Sequence, residues 1–156
     1  EVQGENIMSQ QDVVKELNQQ VANWTVAYTK LHNFHWYVKG PNFFSLHEKF
    51  EELYNDSQIK IDLIAERVLT LGGTPLHTFS DYIENSKLKV GKGISKDVEA
   101  IQLILDSLSV LLQIERTILT KSSAINDEGT NSMMSDFIAE QEKTNWMLKA
   151  WMEEEI

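Results

Sequence analysis

The stretch LHNFHWYVKGPNFFSLHEKF, residues 31–50, decides the fold. Leading into it, Leu17, Val21, Trp24, Tyr28, Leu31, His35 and Val38 recur at alternating steps of four and three, which is the spacing of one buried helix stripe. Gly40-Pro41 then interrupts the helix, because proline has no N–H to donate and biases the residue before it away from helical backbone. Beyond the break, His47, Phe50, Tyr54, Ser57, Ile61, Ile64, Val68 and Leu71 resume the same rhythm. Two long helices joined by so short a turn predict an antiparallel hairpin. Ser45 and Glu48 supply the S-x-x-E pattern of a capping box near the second helix's start.

Working outward, Gly72-Gly73-Thr74-Pro75 is a second break. Residues 78–85 form a short element in the link that follows. A third long segment, 95–122, turns Val98, Ile101, Leu105, Leu108 and Leu112 inward, and a fourth, 130–153, turns Met134, Phe137, Leu148 and Trp151 inward. No segment alternates with strand period. The expected fold is all-α: a ferritin-like four-helix bundle with a short extra helix in the crossover between the second and third long helices. Those two helices run parallel only if the link spans the bundle, and residues 72–94 are long enough. Residues 1–9 are expected to be a flexible leader, and 10–156 the folded domain.

Composition narrows the function. The 156 residues are 42% hydrophobic, enough for one real core. The chain has no cysteine, which excludes a disulfide framework, a thiolate zinc site and an iron–sulfur cluster; a reducing cytoplasm fits this. The polar, acidic start does not resemble a signal peptide, and no run approaches a membrane span. Asn23-Trp24-Thr25 matches a glycosylation pattern and is taken as chance. The formal charge is −10, with Glu1, Glu5 and Asp12 at one end and Glu153, Glu154 and Glu155 at the other. Such tails repel phosphates, so direct DNA binding is not expected, whereas the acidic balance suits a handler of cations.

Asp62 and Glu66 are four apart and share a helix face, flanked by Ile59 and Leu69. They read either as a cation-binding pair or as a solvated face ion-paired with Lys60 or Arg67. His35 and His47 lie on interior stripes near one bundle end; a lone histidine there is more often a satisfied core residue, but two together favour metal ligation. Mixed imidazole and carboxylate donors suit Fe(II), with zinc and manganese left open. Asp62 lies about 22 Å beyond His47 along a helix, and Glu66 about 28 Å, at ~1.5 Å per residue. One chain therefore cannot bring all four to one ion, while an antiparallel two-fold partner can, which predicts an isologous dimer with two shared sites. A di-iron centre inside one bundle needs carboxylates from all four helices and Glu-x-x-His pairs. No Glu-x-x-His occurs, and Glu115 has no matching partner beyond Glu142-x-x-Asn145.

Leu31-His32-Asn33-Phe34-His35-Trp36-Tyr37, then Gly40-Pro41-Asn42-Phe43-Phe44-Ser45-Leu46-His47-Glu48-Lys49-Phe50, resembles the Dps family of mini-ferritins, close to its Gram-positive members. Asp62-Leu63-Ile64-Ala65-Glu66-Arg67 with Leu71-Gly72-Gly73-Thr74-Pro75 is similar to a second family signature, and Trp146-Met147-Leu148-Lys149-Ala150 to its C-terminal helix. The resemblance implies a hollow dodecamer whose ferroxidase sites lie between subunits, His35 and His47 of one facing Asp62 and Glu66 of the other. Iron(II) would be oxidised there, preferably by hydrogen peroxide, and stored as Fe(III), protecting DNA and cell from oxidative stress. It also implies that Trp36 intercepts stray oxidising equivalents, or simply packs at the interface. Glu48, Glu51 and Glu52 would nucleate mineral, or be a solvated face. Asp127, Glu128 and Asp136 would line an iron-entry pore. The chain departs from the family at Asp62-Leu63, where Asp-Glu is commoner, and near the pore, where the loop is shortened and Ser132 replaces an aspartate. The implied location is cytoplasmic, in association with the nucleoid if DNA is bound.

Overall fold

The computed structural model describes the backbone of residues 2–154 and the side chains of 10–153. Residues 2–9 of the expected flexible leader are helical and run on into the first long helix, though their side chains lie outside those described. Among the described residues five helices follow in order: α1 (Val2–Tyr37), α2 (Phe43–Thr70), α3 (Phe79–Asn85), α4 (Asp97–Ala124) and α5 (Glu128–Glu154). The long ones are α1, α2, α4 and α5, and α3 is the short helix expected in the link. None is long and apolar enough to cross a membrane.

The α1–α2 turn is built around Gly40, whose φ of +112° is open to glycine and strained for any residue with a Cβ. Val38 N–H closes the end of α1 onto Phe34 O, and Phe43 N–H bonds Gly40 O to start α2. The expected capping box does not form. Helix α2 begins earlier, with Asn42 as its cap and no side-chain capping bond, and the Ser45 hydroxyl donates to Asn42 O instead. The reason is where the helix starts: with Phe43 as its first residue, Ser45 is already inside the first turn and cannot act as the cap.

Three asparagines of α1 guide the crossover. Asn18 donates to Thr74 O and accepts from Leu76 N–H; Asn23 Oδ1 accepts from Lys87 N–H and the Ser86 hydroxyl; Asn33 donates to Gly91 O. Crossover residues therefore meet α1 in order along its length, and the link climbs the bundle. At its end Lys39 N–H bonds Ser95 O, and Asn42 Nδ2 donates to Asp97 Oδ2. Helix α4 thus starts beside the start of α2, and the two run parallel.

The core is Val13, Leu17, Val21, Trp24, Leu31 and Phe34 of α1 against Phe50, Ile64 and Val68 of α2, Ile101, Leu111 and Ile118 of α4, and Met134, Phe137 and Leu148 of α5. Phe34 and Phe50 are fully buried with ring centroids 6.1 Å apart; burying a side chain of this size contributes roughly 1.5–3 kcal/mol. Val98, expected inward, is 42% exposed. It sits in the first turn of α4, on the side away from the buried Ala100 and Ile101.

Candidate metal centre

The hairpin brings His35 and His47 together. Their rings stack with centroids 3.7 Å apart and planes 13° from parallel. His35 Nδ1 lies 2.6 Å from the carbonyl oxygen of His47, and His47 Nδ1 lies 2.8 Å from the carbonyl oxygen of His35. A carbonyl oxygen only accepts, so in each neutral ring the proton sits on Nδ1. Both Nε2 lone pairs are then free, which is the tautomer a metal ligand needs. Helix phase alone predicts two nearby histidines; the reciprocal bonds add their orientation. His35 is 7% exposed and His47 half-buried, so the pair sits at the lip of the core.

Asp62 and Glu66 are exposed on α2, and the same subunit does not bring them to the histidines. Both carboxylates are free of ion pairs among the described residues. The two cations that might have paired them point elsewhere: Lys60 turns inward to Asp56 and Glu140, and Arg67 bonds Asp127. Helix phase is the reason, since Ser57, Lys60, Ile64 and Val68 form the buried edge of α2. Ile59, Leu63 and Leu69 are exposed beside the two carboxylates, and Trp36, Tyr37 and Phe44 are exposed beside the histidines. Among the described residues of one subunit, no three histidine, aspartate or glutamate side chains converge closely enough to hold a metal ion.

The remaining candidates separate by environment. Trp36 is 63% exposed and stacks on His32, with centroids 5.2 Å apart. Glu48 is exposed, Glu52 pairs with Lys49 at 3.3 Å, and Glu51 places Oε1 3.8 Å from His35 Nε2. Glu51 therefore borders the histidine pair, and the three glutamates are not equivalent. Glu128 and Asp136 are exposed. Asp127 is not a free acid: it accepts from Thr130 N–H, the Thr130 hydroxyl and Arg67 Nη2. Burial pushes its carboxyl upward, but the Thr130 bonds and the Arg67 guanidinium outweigh that and hold it below the usual range.

Two features escaped the sequence reading. Tyr28, His32 and Tyr54 form an aromatic cluster with the His35 ring; His32 and Tyr54 centroids are 3.8 Å apart, and His35 and Tyr54 5.3 Å. Burial, with His35 nearby, lowers the His32 pKa. The signal was present, since Tyr28, His32 and Trp36 fall at steps of four. The second is a run of exposed cations on the crossover, Lys87, Lys89, Lys92 and Lys96, in an otherwise acidic chain.

Comparison with known proteins places this geometry. Residues 14–155 match the family model described as a ferritin-like domain. The chain is 46% identical to "DNA protection during starvation protein 2" of Bacillus anthracis, over 90% of this chain and 96% of that protein. It is 43% identical to "General stress protein 20U" of Bacillus subtilis, over 93% and 99%. Among solved structures it is similar to a Dps protein from Vibrio cholerae O1, described as a member of a broad superfamily of ferritin-like diiron-carboxylate proteins. That match has a TM-score of 0.91 at 42% identity and covers 93% of this chain and 91% of the other.

Proposed function

This chain belongs to the ferritin-like family, as one of its Dps members, and on that premise we propose that it oxidises Fe(II) at sites shared between two subunits and stores the Fe(III) product. His35 and His47 of one subunit supply two imidazole nitrogens, and Asp62 and Glu66 of its partner supply carboxylate oxygens. The observation that carries the reading is the histidine pair with both Nδ1 atoms held by backbone carbonyls and both Nε2 atoms left free. The unpaired carboxylates on an exposed apolar stripe of α2 support it, since such a stripe asks for a covering surface and a second copy brings the missing half.

Iron is the substrate. Two Fe(II) ions each give one electron to hydrogen peroxide; the O–O bond breaks and two hydroxide equivalents form, which removes both reagents of hydroxyl-radical chemistry. Neutral imidazole and carboxylate suit Fe(II), and the two negative charges favour the Fe(III) product over the reactant. Zinc would compete for the same donors. The assembly is a hollow dodecamer of two-fold dimers. Glu48 and Glu52 face its interior as mineral contacts, while Glu51 stands beside the oxidising site. Glu128 and Asp136 are the pore candidates that keep free charge, with Asp127 bracing the loop. Trp36 covers the site and is placed to take up a stray oxidising equivalent. The location is cytoplasmic.

The test is stopped-flow mixing of the pure protein with Fe(II) and hydrogen peroxide. A fast ferric absorbance change and a soluble iron core are expected, both lost in the His47→Ala, Asp62→Ala double variant. A rate no greater than buffer, or an unimpaired double variant, would overturn the reading. The second reading is direct DNA compaction, and one observation favours it: the exposed lysines on the crossover. The net charge of −10 opposes it. Plasmid DNA is expected to migrate unretarded at neutral pH and moderate salt without divalent metal, and a clear retardation there would reinstate it.

A further inference from the structure

Inside the bundle, apart from the histidine pair, lies a cavity of about 40 Å³ walled by residues of all four long helices. A water needs about 10–15 Å³ on that scale, so there is room for two or three oxygen-sized atoms. Most of the wall is aliphatic, from α1, α2 and α4. The polar groups on it are almost all spent within the protein. The Lys30 ammonium donates to Lys89 O and the Ser107 hydroxyl; the Ser57, Ser107 and Thr144 hydroxyls donate to Leu53 O, Leu103 O and Glu140 O; and Asp56 holds Lys60. Two are not spent. Trp24 Nε1 and Gln141 Oε1 have no hydrogen-bond partner among the described residues, although the two side chains belong to residues only 4% and 3% exposed. The orientation of the Gln141 amide is fixed from its other end. Its Nε2 donates to Phe137 O at 3.1 Å and to both oxygens of the buried Glu115 carboxyl at 2.7 Å. A main-chain carbonyl only accepts, so the nitrogen must be the atom facing it, and Oε1 is left to the cavity.

We propose that this cavity binds one small neutral hydroxylic molecule, which accepts from Trp24 Nε1–H and donates to Gln141 Oε1, bridging α1 to α5. The chemistry of the two atoms selects that class. An indole N–H can only donate, and an amide oxygen can only accept. A cation finds no partner in the first, an anion none in the second, and a hydrocarbon satisfies neither. A buried polar atom without a partner forfeits its hydration outright, and one hydroxyl restores both at once. A second hydrogen on the ligand has the remaining lone pairs of the Ser57 and Thr144 hydroxyls to go to. Water and hydrogen peroxide share this chemistry, and both fit the volume. The site is separate from the interface donors and stands whether or not iron is oxidised there.

The test is a high-resolution crystal structure of the purified protein, together with the ultraviolet resonance Raman band that reports hydrogen bonding at an indole N–H. Trp24 is read in the Raman spectrum as the difference between wild type and Trp24→Phe. Density for an oxygen about 2.7–3.2 Å from both Trp24 Nε1 and Gln141 Oε1 is expected, with the Trp24 band at its hydrogen-bonded position. Gln141→Met, which keeps the length of the side chain and loses the acceptor, is expected to lose that density and to shift the band to the free position. Soaking the iron-free crystal in hydrogen peroxide then separates the two ligands: an unchanged single peak identifies water, and elongation into two bonded oxygens identifies peroxide. Wild-type crystals with no density bridging the two atoms, or a density and band that survive Gln141→Met unchanged, overturn the proposal. The first of these needs no variant, so a Gln141→Met or Trp24→Phe chain that fails to fold does not shield it.

Discussion

The proposed sharing of the site between subunits makes an arithmetic prediction. Take two variants, His47→Ala and Asp62→Ala, each lacking one ligand in every site. Alone, both should be inactive in peroxide-driven Fe(II) oxidation. Along one α2 the two positions are about 22 Å apart at ~1.5 Å per residue, so no single chain can repair itself. Now denature equal amounts, mix, and refold. About half of the two-fold dimers are mixed if pairing is random, and each mixed dimer has one site with both defects and one with neither, so about a quarter of wild-type activity should return. The control is a mixture of His35→Ala with His47→Ala. Both defects then lie on the histidine side, every mixed dimer has two damaged sites, and nothing should return. The assay is the initial rate of ferric absorbance at equal subunit concentration. A first mixture no better than its parents, or a control that recovers equally, would refute the shared geometry.

Leu63→Lys places a charge on the exposed α2 stripe beside Asp62, where a covering copy would have to desolvate it. Light scattering should show a smaller particle at unchanged helicity; full-size assemblies would argue against that contact. Burial raises the Glu115 carboxyl to about 8, so the folded chain retains a proton the unfolded chain releases at lower pH. That stabilisation is complete at acid pH and is lost as the pH rises toward and through the folded value. The stability of wild type relative to Glu115→Gln should therefore fall by a few kcal/mol between about pH 5 and about pH 9, and parallel urea-denaturation curves would refute it. Arg67→Met removes the bonds that tie α2 to Asp127 and Thr130. A loss of roughly 1.5–3 kcal/mol in thermal or urea unfolding is expected. Gly129→Ala should show part of the same loss, because its Cβ would come within 2.5 Å of the Arg67 guanidinium; stability equal to wild type would mean the clasp contributes nothing.

The bundle was legible because its signals are periodic. Stripes at steps of four and three, with breaks at Gly40-Pro41 and Gly72-Gly73, place α2, α4, α5 and the end of α1 to within a few residues, while α1 starts at Val2, inside the stretch expected to be a leader. The histidine pair was legible for the same reason, since a tight hairpin makes positions 35 and 47 opposite by construction. The bonds that orient the rings were not, because they run to backbone carbonyls and carry no residue code. Lys60 was misplaced as a possible partner for Asp62. Sequence shows that a lysine is near, not that helix phase sends it into the core toward Glu140 of a distant helix. Asp127 shows the same limit, because nothing in the sequence marks the arginine, 60 residues away, that pairs with it.

The reciprocal histidine bonds also set what kinds of sequence change this hairpin tolerates. Each ring is anchored to the other helix's main chain, so the turn between them works as a caliper whose opening depends first on its length. Substitutions at the exposed Phe44 are expected to leave the opening unchanged, whereas Gly40 and Asn42 hold the turn's backbone and the start of α2. One inserted or deleted residue rotates a helix by about 100° against its neighbour, at ~3.6 residues per turn, and releases both rings at once. Descendants of this chain are therefore freer to change the letters of the turn around its glycine than to change their number.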